Sequence, residues 1–308
     1  MLPPLTFHEY IYLKGLDHLM RQSGIKWEGN PAKFFTTINI VELNKHFIDY
    51  INFGGYPEVI FSEKIQADPR RFIKNDIIDK VLLRDLPGLY GIQDVQELNS
   101  FFTMLAYNSG NEVSLDALSK ASGVEKHLLK KYLEYLEAAF LIRIVHRIDD
   151  NAKQFQRATC FKIYLTNPSL RSALFSPLQP TDDMFGSMVE TAVFSQWMHR
   201  DWFNPFYARW TKGKYQGEVD MVGLGEKRLK PLWALEIKWS NRFLEKPGEL
   251  TSLLSFCNKN NLSSAIVTTI DKEGTIEYNN IKLVYVPSPV YAYVIGKNTI
   301  DIKLKMSA

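Results

Sequence analysis

The stretch Tyr207-Ala-Arg-Trp-Thr-Lys-Gly-Lys-Tyr-Gln-Gly-Glu-Val-Asp-Met-Val222, followed shortly by Ala234-Leu-Glu-Ile-Lys-Trp-Ser240, decides the fold of this chain. Its runs of β-branched, aromatic and aliphatic residues predict three short strands. Glycines mark the expected turns, at Gly213 and Gly217 before the second strand and at Gly223 and Gly225 after it. The pattern therefore predicts consecutive strands that pair in one sheet.

Charged side chains fall together on these strands. Because residues two apart on a strand share a face, Glu236 and Lys238 project together. By the same alternation Glu218, Asp220 and Val222 share a face of the preceding strand. If the two strands pair, Asp220 lies beside Glu236 and Lys238. Two carboxylates and an ammonium on one sheet surface are costly unless they serve each other or a metal, so both interpretations stay open.

An apolar helical stripe precedes the strands, within residues 182–200. One carboxylate, that of Glu190, lies in the stripe, whose other members are Gly186, Val193, Phe194 and Trp197. A carboxylate in an apolar stripe is expected to face the sheet rather than water. This order of elements resembles the PD-(D/E)XK nuclease fold, in which a helix glutamate precedes an Asp strand and a Glu-x-Lys strand. The four places are taken by Glu190, Asp220, Glu236 and Lys238.

The resemblance implies a catalytic role for each of these residues. Asp220, Glu236 and the main-chain carbonyl of Ile237 would hold Mg²⁺, an ion that prefers carboxylate and carbonyl oxygens. Lys238 would orient or help deprotonate the attacking water, and Glu190 would assist through the metal or the water. The alternative is a structural role, in which Lys238 only pairs with Glu236 or Asp220 at a sheet edge.

Composition limits the class of protein. A length of 308 residues predicts two or three domains, and 45% hydrophobic with 23% charged residues predicts a folded, soluble chain. The net charge of +3 is too small to indicate nucleic-acid binding by itself. Only Cys160 and Cys257 are cysteines, so we expect no disulfide framework, no zinc site and a cytoplasmic location. No uncharged run is long enough to span a bilayer, so no membrane partner is expected.

Residues 94–165 predict a winged helix, with the third of its three helices at 125–140 and a wing at 149–157. In a helix-turn-helix the early residues of the recognition helix lie nearest the DNA bases. The basic residues placed there are Lys126, His127, Lys130 and Lys131, and the wing adds Lys153 and Arg157 for phosphate contacts. The alternative is a protein contact, since Glu134 and Glu137 dilute the positive field.

Several short runs together resemble one prokaryotic family of AAA-type ATPases. They are Gly54-Gly-Tyr-Pro-Glu58, Arg84-Asp85, the run from Lys131 to Ile142, Lys162-Ile-Tyr-Leu165, Gly186-Ser-Met-Val-Glu190, Glu218-Val-Asp220 and Glu236-Ile-Lys238. In that family an ATPase core is followed by a helical lid, a winged helix and a nuclease-like domain. The resemblance covers residues 5–269, and the order of the motifs is more specific than any one of them.

One part of the family's pattern is absent from the sequence. Members begin with the phosphate-binding loop Gly-x-x-x-x-Gly-Lys-Ser/Thr, and no such run occurs in this chain. We therefore expect the C-terminal part of such a protein, with no ATP site of its own. The implied partners are DNA and an ATPase core supplied by another chain, or further copies in a homo-oligomer. Asn167 also stands where an acidic residue is expected.

The sequence thus predicts an α+β fold in three units. Residues 1–92 form a helical lid-like region, residues 93–166 a winged-helix domain, and residues 167–308 a PD-(D/E)XK nuclease-like α/β domain. The leading function is DNA binding coupled to Mg²⁺-dependent phosphodiester hydrolysis. The alternative is a non-catalytic DNA-binding, regulatory or interaction module.

Overall fold

The computed structural model describes residues 3–23, 34–151, 159–198, 200, 203–225 and 230–307, with side chains described up to residue 302. Helices and strands are mixed along these segments, and most strands join one large mixed sheet, so the predicted α+β class is confirmed. Among the described helices, none combines the length and apolarity that a membrane crossing requires.

The N-terminal region consists of short helices and one small pair of strands. Its helices are α1 (Phe7–Leu13), α2 (Ile40–Phe53), α3 (Pro57–Phe61) and α4 (Glu63–Gln66), with a 3₁₀ turn at Asp17–Leu19. Strands β1 (Met20–Gln22) and β2 (Phe35–Thr37) pair antiparallel. Thr6 caps α1, and its main-chain N–H donates to the Glu9 carboxylate, which completes the capping box that the spacing Thr-x-x-Glu at residues 6–9 favours.

The spacing of apolar residues over 69–84 favours one long α-helix, and the hydrogen-bond pattern of this segment differs. The helix α5 (Pro69–Phe72) leads into π-helical segments at Ile73–Asp79 and Val81–Asp85, followed by α6 (Leu86–Tyr90). A π-helical turn closes bonds between residues five apart and is rare outside single turns. Ile73, Ile78 and Leu82 are fully buried, so the apolar side of the segment packs inward.

The middle of the chain has the element order of a winged helix. Its elements are α7 (Val95–Tyr107), β3 (Glu112–Ser114), α8 (Leu115–Ser122), α9 (Lys126–Ala138), β4 (Ile142–Ile148) and β5 (Cys160–Leu165). Strand β5 pairs antiparallel with both β3 and β4. Ser114 caps α8 by accepting a hydrogen bond from the Ala117 N–H, and serine is among the residues preferred at this position of a helix.

The C-terminal region alternates helices with the strands of the large sheet. Its helices are α10 (Ser169–Leu174), α11 (Phe185–Ser195), α12 (Arg242–Glu245), α13 (Thr251–Asn260) and α14 (Ser288–Ser307), with a 3₁₀ turn at Pro247–Glu249. Its strands are β6 (Phe206–Lys212), β7 (Tyr215–Leu224), β8 (Pro231–Glu236), β9 (Ser264–Thr269), β10 (Gly274–Tyr278) and β11 (Ile281–Pro287).

One sheet runs through both the middle and the C-terminal regions. Its strand order is β10-β11-β9-β8-β7-β6-β4-β5-β3. The β6–β7 and β7–β8 pairs are antiparallel, whereas β9 is parallel to β8 after the crossover through α13. A short parallel pairing, Arg147 with Tyr207 and Ile148 with Ala208, joins β4 to β6. The strands of the winged helix are thereby continuous with those that carry Asp220 and Glu236.

The largest apolar cluster draws on distant parts of the sequence. Phe7 of α1 and Tyr50 of α2 are buried with Val189 of α11, Met221 of β7 and Val294 of α14. A second cluster fills the winged helix and the π-helical segment, and a third lies between the sheet and α13. The three-unit division stays a prediction, but α1 and α2 pack on the C-terminal region rather than apart from it.

Candidate functional site

Three charged side chains meet where β7 and β8 lie side by side. Lys238 Nζ is 2.8 Å from Glu236 Oε1 and 3.6 Å from Asp220 Oδ2. Asp220 and Glu236 are 7% and 8% exposed, and Lys238 is half-buried. The structure therefore brings together the residues that the Asp and Glu-x-Lys spacing singled out.

Side chains fix the main chain around this group. The Ile237 N–H donates to Asp220 Oδ2 at 2.7 Å. Strand β8 ends at Glu236, and beyond it the Lys238 N–H donates to Thr268 Oγ1 at 2.7 Å. The Thr268 hydroxyl donates back to the Lys238 carbonyl at 3.0 Å. These bonds hold Lys238 next to the two carboxylates and leave the Ile237 carbonyl as the main-chain candidate for a metal ligand.

Strict alternation on β7 fails beside Asp220. Phe206 pairs with Val222 and Ala208 with Val219, so β7 carries one residue more than β6 between these pairs. Val219 and Val222, three positions apart, consequently lie in the same apolar cluster against α13. The expected shared face of residues 218, 220 and 222 was therefore wrong. A β-bulge re-aims side chains, and bulges are frequent next to functional sites.

The electrostatics of the group are unbalanced. With all three groups ionised, two carboxylates face one ammonium. Burial and the neighbouring Asp220 raise the pKa of Glu236 to about 8, although Lys238 opposes the shift. Burial disfavours the charged form of Lys238, but Asp220 and Glu236 outweigh it and raise the Lys238 pKa. A further cation would relieve the repulsion between the two carboxylates.

The free oxygen of the Glu236 carboxylate indicates whether these residues fit a metal ion. Glu236 Oε2 is buried and has no hydrogen-bond partner, whereas Oε1 contacts Lys238. An unpaired buried oxygen beside a second carboxylate is a donor set that suits Mg²⁺. No group of three or more His, Cys, Asp or Glu side chains arranged for a metal occurs among the described residues. The ion would therefore rest on Asp220, Glu236, a carbonyl and water, which is how Mg²⁺ is usually held.

Glu190 faces the sheet, as expected, but its partners lie on β5. Glu190 Oε1 is 3.0 Å from Lys162 Nζ and accepts a 2.5 Å hydrogen bond from the Tyr164 hydroxyl. Burial raises the pKa of Glu190, Lys162 opposes that shift, and Asp220 adds to it. No direct hydrogen bond joins Glu190 and Asp220 among the described contacts.

Two residues of this neighbourhood were not predicted as part of the site. Lys162 is buried and bridges Glu190 to Glu218 Oε1, the latter at 2.7 Å, and Tyr164 lies two residues further along the same strand. The signal was present in the sequence, because a lysine interrupts the otherwise apolar strand Cys160–Leu165. Its partners lie 28 and 56 residues away, and no local pattern reveals such pairs.

The predicted DNA-contacting side chains of α9 lie on its surface. Lys126, His127, Lys130 and Lys131 are all exposed at the start of the helix. Acidic neighbours already contact two of them, since Lys126 pairs with Asp116 and His127 Nδ1 is 3.0 Å from Glu125. Lys130 and Lys131 have no ion-pair partner among the described residues. The wing residues Lys153 and Arg157 lie outside the described part of the chain.

Two cavities lie away from the carboxylate group. One of about 470 Å³ is bounded by β4, the end of α11 and the start of β6, and includes Arg143 and Trp197. The other, of about 630 Å³, lies between the N-terminus and the π-helical segment, and includes Gly55 and Asp85. Neither cavity is lined by Asp220, Glu236 or Lys238.

Comparisons with known proteins identify relatives without assigning a function. The family model of a domain of unknown function (DUF8612) matches residues 44–181, a stretch that ends before α11. An uncharacterized protein of Methanocaldococcus jannaschii is 24% identical over 236 residues, covering 73% of this chain and 47% of the relative. An uncharacterized protein of Haemophilus influenzae is 25% identical over 173 residues, covering 54% of this chain and 37% of the relative.

The chain thus spans about half the length of the first of these relatives and less of the second. A search of the solved structures found no significant match.

Proposed function

We propose that the protein binds DNA and hydrolyses phosphodiester bonds at the group formed by Asp220, Glu236 and Lys238, with Mg²⁺. The observation that carries the proposal is the buried, unpartnered Glu236 Oε2 beside a second carboxylate and a lysine. The proposal is supported by the order of elements around the group, in which the helix α11 with Glu190 precedes the strand β7 with Asp220 and the strand β8 with Glu236.

Each residue of the site would have a role that suits its chemistry. Asp220 and Glu236 would bind the metal, which supplies Lewis-acid stabilisation of charge on the scissile phosphate. Lys238, held by both carboxylates and by Thr268, would orient the attacking water and stabilise negative charge that develops on the phosphate. Glu190, fixed against β5, would accept a hydrogen bond from the same water.

DNA contact is proposed through α9. Its exposed Lys130 and Lys131 suit phosphate contacts, and such contacts supply most non-specific affinity. Because β4 pairs with both β5 and β6, the winged helix and the carboxylate group share one sheet. The shared sheet would therefore hold the carboxylate group at a fixed position relative to duplex DNA bound on α9.

A second candidate is a non-catalytic module that docks DNA or an ATPase core supplied by another chain. The observation in its favour is that the buried charges are already paired within the protein. Lys238 contacts both Asp220 and Glu236, and Lys162 contacts Glu190. A structural ion network of this kind has no need of a metal.

The experiment is a cleavage assay on linear, circular and single-stranded DNA with Mg²⁺ or Mn²⁺. We expect the wild type to cleave at least one substrate, and Asp220→Asn and Lys238→Ala to lose about 100-fold or more. Glu277→Gln, an exposed carboxylate on β10, is the matched control and should cleave as the wild type does. Absence of cleavage by wild type, or cleavage unaffected by Asp220→Asn, would favour the non-catalytic module.

A further inference from the structure

Lys162 is a buried lysine in the middle of an apolar strand. Only 3% of the residue is exposed, although it lies on β5 of the winged helix. Its ammonium contacts Glu190 on α11 and Glu218 on β7, at 3.0 and 2.7 Å. The ring centroid of Tyr207 lies 5.4 Å from the same Nζ, within the range of a cation–π contact. One side chain of the winged helix therefore contacts two elements that flank the carboxylate group.

A charge in this position is costly to keep. A buried ammonium loses its hydration, and only good partners repay that loss. An apolar residue of similar volume would fit a strand whose neighbours Ile163 and Leu165 are buried. The lysine is therefore better explained by what its charge does to Glu190 than by packing.

Lys162 and Tyr164 together fix one oxygen of Glu190. Both donors contact Oε1, the ammonium at 3.0 Å and the hydroxyl at 2.5 Å. Two donors on one oxygen restrict the rotation of the carboxylate, and neither of these two donors is bonded to Oε2. The Tyr164 ring also stacks on Phe194 of α11 at 4.0 Å, so the strand and the helix are locked together at this point.

We propose that Lys162 is a positioning residue of the nuclease-like site, supplied by the winged helix, and that it orients Glu190 toward the Asp220 group. The inference rests on the proposed function. It means that the site is built from two regions of the chain, and that β5, whose first residue follows the wing, is part of the catalytic architecture. Hydrolysis should then depend on a strand that never touches the scissile phosphate.

The test uses the full chain and three variants. Lys162→Met removes the charge, Lys162→Arg keeps it, and Glu218→Gln is the matched control that removes the other carboxylate partner of Lys162. Three quantities are measured for each protein, namely the thermal unfolding temperature, its rise on adding Mn²⁺, and kcat for Mg²⁺-dependent plasmid cleavage.

We expect Lys162→Met to keep the Mn²⁺-induced rise, because Asp220 and Glu236 are unchanged, and to lose about 10- to 100-fold in kcat. Lys162→Arg should recover part of that loss, since it restores a donor to Glu190. Glu218→Gln should unfold at a lower temperature yet cleave at the wild-type rate. Equal kcat losses in Lys162→Met and Glu218→Gln, or wild-type kcat in Lys162→Met, would overturn the proposal.

A fourth variant covers the case in which Lys162→Met does not fold. Tyr164→Phe removes the other hydrogen bond to Glu190 without removing a charge, and should lower kcat several-fold. Wild-type kcat in a folded Tyr164→Phe would then overturn the proposal. A wild type that neither cleaves nor responds to Mn²⁺ would instead remove the proposed function and this inference together.

Discussion

The buried carboxylate of Glu236 lowers the stability of the fold when it is ionised. Burial and Asp220 raise its pKa from 4.5 in water to about 8 in the metal-free fold. Between these values the folded chain binds more protons at Glu236 than the unfolded chain does. The contribution of Glu236 to stability is therefore fully present below pH 4.5 and is lost as the pH rises toward 8. The Lys238 ammonium stays charged throughout this window, because its pKa is raised.

The first prediction follows from this loss of stability with rising pH. In chelator, the free energy of unfolding of wild type should fall from pH 5 to pH 8 more steeply than that of Glu236→Gln, by up to about 1.4 kcal/mol per pH unit. Urea unfolding at several pH values measures both slopes. Glu249→Gln, an exposed carboxylate paired with Arg242, should keep the wild-type slope. Parallel slopes for wild type and Glu236→Gln would show that Glu236 titrates as it does in water.

Gly55, in the Gly-Gly-Tyr-Pro-Glu motif, gives a second prediction at this scale. Its φ is +97°, and a Cβ there would lie 2.6 Å from the buried side chain of Asn167. Gly15 has a φ of +69° and open space around it, so it serves as the matched control. We expect Gly15→Ala to cost about 1–2 kcal/mol of stability from backbone strain alone. Gly55→Ala should cost at least about 1 kcal/mol more because Asn167 must move.

Chemical denaturation of the two alanine variants measures this difference. Similar losses would mean that Asn167 moves freely, in which case the motif is explained by its turn alone. The comparison also bears on Asn167 itself, which stands where an acidic residue was expected. Its Oδ1 accepts the Ser169 N–H at 2.9 Å, a bond that an aspartate would make equally well. Asn167 is fully buried, however, and its neutral amide avoids the cost of burying a carboxylate charge at this place.

Single residues of the site were predictable to the extent that their signals were local. Glu236 and Lys238 follow from a spacing of two on a strand, and Glu190 from its place in an apolar stripe. Lys162 was missed as a site residue because its partners come from α11 and β7, far along the chain. The bulge beside Asp220 was not predicted, because the sequence of residues 215–224 contains no signal for an extra residue in the strand.

At the scale of elements, α9 carries the DNA-binding prediction. Removing Lys130 and Lys131 together should weaken duplex binding and lower the slope of log affinity against log salt by about 1 per lysine. Lys272→Ala with Lys282→Ala, two exposed lysines of the C-terminal region, is the control pair. Fluorescence anisotropy at several salt concentrations gives both slopes. An unchanged slope in the α9 variant would direct the search to another surface or to a protein partner.

Sequence patterns predict where helices begin, but they do not predict which kind of helix forms. Capping residues located α1 and α8 from sequence, since Thr6 and Ser114 each satisfy main-chain donors of the first turn. The π-helical turns of residues 73–85 were not predicted, because an apolar stripe is nearly the same for both kinds of helix. Only the hydrogen-bond pattern, which tertiary packing decides, separates the two.

At the scale of the whole molecule, packing crosses the boundaries of the predicted units. The expected lid-like region includes α1 and α2, yet Phe7 and Tyr50 are buried against α11 and α14. The β4–β6 pairing likewise joins the winged helix to the C-terminal strands. Local motifs define the predicted units, and no local motif reveals these contacts between distant segments.

The shared core and sheet predict cooperative unfolding. Differential scanning calorimetry should show one transition, with a calorimetric enthalpy equal to the van't Hoff enthalpy. Phe7→Ala, which empties a buried site between α1 and the C-terminal region, should lower the stability of the whole chain by about 3–5 kcal/mol. Tyr12→Ala, an exposed ring on the same helix, is the control. Two separate transitions, of which Phe7→Ala shifts only one, would support independent units instead.

We propose that Asp220, Glu236 and Lys238 form a metal site rather than a closed ion network. Isothermal titration of Mn²⁺ into the metal-free protein tests it most directly, because it requires neither substrate nor turnover. We expect the wild type to bind about one ion per chain and Asp220→Asn to lose that binding, since the variant removes half of the carboxylate charge. Glu277→Gln should bind as wild type does. No binding by wild type, or equal binding by wild type and folded Asp220→Asn, would contradict the account.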